Sequence, residues 1–73
     1  MNIATLAAIV HKEGDIYVAA CPEIGTASQG SSIEEAIANL KEATELYLEE
    51  FPEKLTCSKD FRPVLTTFEA ICA

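Results

Sequence analysis

A chain of 73 residues has room for one domain, and positions 1–73 read as a single unit with no separate DNA-binding module. Apolar residues make up 49% and Gly and Pro are few, which excludes a disordered chain. The net charge is −7 and the basic residues, Lys12, Lys41, Lys54, Lys59 and Arg62, are scattered, so direct nucleic-acid binding is not expected, whereas a basic protein partner fits.

The first predicted strand runs from Ile3 to Val10. It is apolar at both parities, with Ile3, Ala7 and Ile9 on one side and Ala4, Leu6, Ala8 and Val10 on the other, a pattern that predicts burial on both faces. Lys12-Glu13-Gly14-Asp15 reads as a turn, with Gly14 free to take positive φ. Ile16 to Cys21 is the second strand of an antiparallel hairpin, ended by Pro22, which cannot donate to a ladder. Thr26 to Gln29 is a loop or a weak third strand, broken by Gly30.

Ser32-Ile33-Glu34-Glu35 has the form of a capping box: the Ser32 hydroxyl accepts from the Glu35 amide, and the Glu35 carboxylate reaches back to the amide of Ser32. The helix is predicted to reach about Glu50. Ile33, Ala36, Ile37, Leu40, Ala43, Thr44, Tyr47, Leu48 and Phe51 form its apolar stripe, opposite Glu35, Glu42, Glu45 and Glu49, and Pro52 stops it. Residues 53–62 are a charged connector. Val64 to Ile71 has the β-branched and aromatic content of a last strand. The fold class is therefore α+β: a three- to four-stranded, mainly antiparallel sheet packed by one helix, in the order βββαβ.

One helix covers one face of such a sheet. The apolar residues on both sides of the first strand, and Phe68 opposite Leu65 and Ile71 in the last, leave a face or an edge for something else to cover. The expectation is a homodimer, a higher homo-oligomer or a partner protein.

Chemistry is hard to find. His11 is the lone histidine and has no positioned partner in sequence, so it reads as a surface residue. Cys21, Cys57 and Cys72 are odd in number and lack CxxC spacing; this argues against a disulfide framework or zinc site and fits a reducing, cytoplasmic location. There is no calcium-loop pattern and no phosphate-cradling glycine motif, so neither metal nor cofactor is expected and the protein is not expected to be an enzyme. No signal-peptide pattern and no apolar run of about 20 residues suggests a membrane. The competing reading is a small thiol- or ligand-binding protein using Cys21 and the loop 23–30.

An ordered pattern spans Gly14 to Ala43. It comprises Gly14, Tyr17 and Ala19; then Cys21-Pro22-Glu23-Ile24-Gly25; then Ser28 and Gly30; then Ser32, Glu34-Glu35-Ala36, Asn39-Leu40 and Glu42-Ala43. This resembles the N-terminal, toxin-binding domain of HicB-like antitoxins, with Ile24 where Leu is usual and Ser28 and Ser32 where Thr is frequent. The resemblance implies a partial RNase H-like βββαβ domain. It also implies an antitoxin that binds and neutralises a HicA-like toxin, a small basic ribonuclease, by protein–protein contact. Nuclease activity is not implied, because the first strand, Ile3 to Val10, carries no acid for two-metal hydrolysis. Many members add a C-terminal DNA-binding domain, for which positions up to Ala73 leave no room. The candidate partner-binding residues are Tyr17, Glu23, Glu34, Glu42 and Glu45.

Overall fold

In the computed structural model, which describes residues 3–54 and 63–72, the sheet begins later than the apolar pattern predicts. Residues 3–8 have no regular structure, and β1 spans Ile9–Glu13. β2 is Ile16–Cys21 and β3 is Thr26–Gly30, so the third, weakest candidate is a strand. The three pair antiparallel in the order β1-β2-β3.

The register explains the displacement of the first strand. Ile9 faces Ala20 and Glu13 faces Ile16. Continued backwards, that register sets Ala7 opposite Pro22, whose nitrogen has no hydrogen to give. The ladder stops there. At the other end the charged residues His11, Lys12 and Glu13 belong to the strand and not to the turn, because Gly14-Asp15 alone closes the hairpin. Gly14 has φ of +62° while Asp15 keeps a negative φ, the arrangement of a type II′ turn, whose twist matches the strands it joins. Burial of both sides of the first strand is also not observed: Ile3 is 90% exposed and Ile9 47%.

The helix α1 spans Ile33–Glu50. Ser32, extended at φ −141°, accepts from the Glu35 amide at 3.1 Å, as the capping box requires. The return contact lands one residue earlier than expected: Glu35 Oε1 accepts from the Ser31 amide at 2.7 Å and from the Ser31 hydroxyl at 3.2 Å. At the far end Phe51 donates its amide to the Tyr47 carbonyl at 2.9 Å, and its ring packs on Tyr47 with centroids 4.9 Å apart. Pro52 then opens a short 3-10 turn, Pro52–Lys54.

α1 lies across β2 and β3 on small side chains. Ala19 and Ala36 are wholly buried, Cys21 and Leu40 nearly so. A Cβ built on Gly30 would lie 2.6 Å from the Ala36 nitrogen, so the helix start sits directly on the strand backbone. Midway along, the Thr26 and Thr44 hydroxyls share a hydrogen bond of 2.6 Å, which satisfies the one buried polar side chain among the described residues. Among the described residues Leu40 is the only large aliphatic side chain that is fully part of that core, which is consequently thin. The opposite sheet face, with Ile9, Ile16, Val18 and Ala20, has no helix over it among the described residues.

The expected last strand, Val64 to Ile71, is not part of the sheet. Residues 63–72 have no regular structure, and Val64 and Phe68 are 88% and 87% exposed. Most of the connector, including Cys57, Lys59 and Arg62, lies outside the described residues. No helix among the described residues is long and apolar enough to cross a membrane.

Candidate protein-binding site

The motif residues divide into those that build the fold and those that face outwards. Glu23 belongs to the first group. Its Oε1 accepts from the Ala7 amide at 2.8 Å, just beyond the point where Pro22 ends the ladder, and it lies 3.8 Å from the Cys21 sulfur. This carboxylate holds residues 3–8 against the sheet edge and is engaged within the chain. The turn that carries it is closed by the Gly25 amide on the Cys21 carbonyl at 2.8 Å, with Gly25 at φ +92°. Tyr17 is half-buried on the helix side of β2, opposite Gly30, with the Lys12 ammonium 6.0 Å from its ring centre. Asn39, not among the sequence candidates, donates to the Gln29 carbonyl at 2.8 Å and ties α1 to β3.

Glu34, Glu42 and Glu45 belong to the second group, and the structure brings these three together. All are exposed on α1. At about 100° per residue they fall within roughly 80° of arc, on the side opposite Ala36, Leu40 and Thr44. Glu49 falls in the same arc and extends the strip to about 22 Å. The signal for Glu49 was the same projection that selects the other three. Neither Tyr17 nor Glu23 lies on this strip; both sit on β2 and the turn after it.

The strip is electrostatically unsettled. Glu42–Glu45 and Glu45–Glu49 are like-charge neighbours at three and four residues, each costing about 0.2–0.5 kcal/mol in an isolated helix. Ala38 sits within it, and Lys41 borders it four residues before Glu45. The last turn of α1 has no basic residue, so Glu49 and Glu50 face the negative helix end uncompensated. These choices do not serve the helix itself.

The residues weighed for chemistry are placed otherwise. Cys21 is 2% exposed in the core, and its hydrogen-bond partner among the described residues is the carboxylate of Glu23, with no imidazole beside it. His11 stands exposed on β1, 3.8 Å from Glu13 Oε1. The described residues hold no group of three His, Cys, Asp or Glu side chains suited to a metal ion.

Comparison with known proteins gives one informative likeness. The chain is 50% identical over 42 residues to a protein named UPF0150 protein from Helicobacter pylori (strain J99). The match covers 56% of this chain and 58% of that protein. No protein-family model and no solved structure matches.

Proposed function

We propose that this protein is a HicB-like antitoxin domain that binds a small basic ribonuclease of the HicA type and neutralises it by contact, without chemistry of its own. The observation that carries the reading is the acidic strip Glu34–Glu42–Glu45–Glu49 on the solvent side of α1. Its carboxylates repel one another in the free chain, and a cationic surface laid along them relieves that repulsion while steering the encounter. The motif from Gly14 to Ala43 supports the same reading, because Gly30, Ser32, Glu35, Ala36 and Asn39 together set α1 on the sheet and so aim the strip. The half-length match to the UPF0150 protein is compatible with it. The site is expected to work in the cytoplasm.

The test is binding of the full chain to a small basic ribonuclease encoded beside its gene, measured by titration calorimetry at two salt concentrations. Replacing Glu34, Glu42 and Glu45 together by Lys is expected to weaken binding roughly 10- to 100-fold and flatten its salt dependence. The far-UV circular dichroism should be unchanged, since all three side chains are exposed. Equal affinity in the reversed variant, or no binding by any such neighbour, overturns the proposal.

A further inference from the structure

We propose that residues 64–71 of one chain dock on a second copy of the same chain, in a groove between residues 3–8 and α1, and that the exchange is reciprocal. The groove has a volume of about 590 Å³ and is bounded by Ile3 and Leu6 on one side and by Ile37, Leu40, Lys41 and Leu48 on the other. It is open in the single chain. Beside it β1 is an edge strand, and residues 3–8 have no ladder partner on their outer side.

Residues 64–71 lack what the groove offers. Val64, Leu65, Phe68 and Ile71 are all exposed, and among the described residues no backbone hydrogen bond joins this segment to the sheet. Their β-branched and aromatic composition suits a strand. Eight residues of strand span about 26 Å. The α1 wall from Ile37 to Leu48 spans about 17 Å, so the segment covers its length. Charge is balanced in the groove, whose lining carries both Lys41 and Glu45, and Glu69 is the one charged residue of 63–72. Elsewhere two copies carrying −7 each repel, so an apolar contact of this kind is what brings them together.

Surface area points to a second copy. The chain exposes 6143 Å², where a compact monomer of 7.9 kDa exposes roughly 4,400 Å². Its radius of gyration is 13.9 Å against about 11 Å for a compact chain of this length. The excess, about 1,700 Å², is roughly twice the 800 Å² per partner of a standard interface and falls within the range of larger, obligate ones. In a two-fold exchange each copy gives one segment and one groove, so the contact closes and does not propagate into fibres.

The experiment is sedimentation equilibrium of the full chain, with a mixed sample of ¹⁵N-labelled and ¹³C-labelled chains for intermolecular NOEs. A dimer with NOEs from Phe68 to Leu6 or Leu48 of the other label supports the proposal. Phe68→Ser with Ile71→Ser should then raise the dimer dissociation constant roughly 100-fold or more, with the helix signal intact because both side chains are exposed in the single chain. A monomer at millimolar concentration, NOEs from Phe68 to the groove of its own chain only, or a dimer that survives the double substitution each overturns it. Binding to a basic ribonuclease is read by its own titration and draws on Glu34, Glu42 and Glu49 away from the groove, with Glu45 bordering both surfaces, so the two proposals fail separately.

Discussion

The stretch from Ile16 to Thr44 and the two flanks, 3–8 and 63–72, are both rich in apolar residues, but they use them differently. In the central stretch the decisive residues are small. Ala19, Gly30 and Ala36 let the helix and sheet backbones meet, and polar caps and ties hold the register. In the flanks the large residues Ile3, Val64 and Phe68 stand in solvent. Hydrophobicity alone therefore does not identify the core of so small a protein. Close approach does, while large apolar side chains stand exposed at the flanks.

That contrast is open to direct attack. The largest effect is expected for Gly30→Ala, whose new Cβ meets the Ala36 nitrogen at 2.6 Å and the Glu35 carbonyl carbon at 2.9 Å, both backbone atoms that cannot swing away. A loss of about 1–3 kcal/mol is expected in urea unfolding. Ser32→Ala removes the helix cap and should cost about 1 kcal/mol by the same measurement. Ile3→Ser changes a far more apolar side chain yet is expected to stay within about 0.5 kcal/mol at concentrations where the chain is monomeric. If Ile3→Ser were the costliest of the three, the distinction between centre and flanks would fail.

The sheet-and-helix plan was legible because three local signals do not depend on tertiary context. Pro22 ends a ladder, Ser32 caps a helix and Pro52 stops one. The start of β1 was not legible. An apolar run at both parities suggests a doubly covered strand, but pairing obeys backbone hydrogen bonds, and those fail opposite Pro22. Residues 64–71 were misplaced for a related reason: strand composition states what a segment can do, not that it pairs. Of the candidate site, the glutamates on α1 followed from helical projection alone. Glu23 did not, because the amide it satisfies lies sixteen residues away and no sequence pattern links the two.

The hydroxyl pair between Thr26 and Thr44 carries an evolutionary constraint. Each side chain is the other's hydrogen-bonding complement across 18 positions of chain. Changing Thr26 alone to valine strands the buried Thr44 hydroxyl and changing Thr44 alone leaves Thr26 without its partner, whereas changing both leaves two apolar surfaces of similar shape in contact. The two sites should thus drift as a linked couple, and a lineage that has lost one threonine should be found to have lost the second.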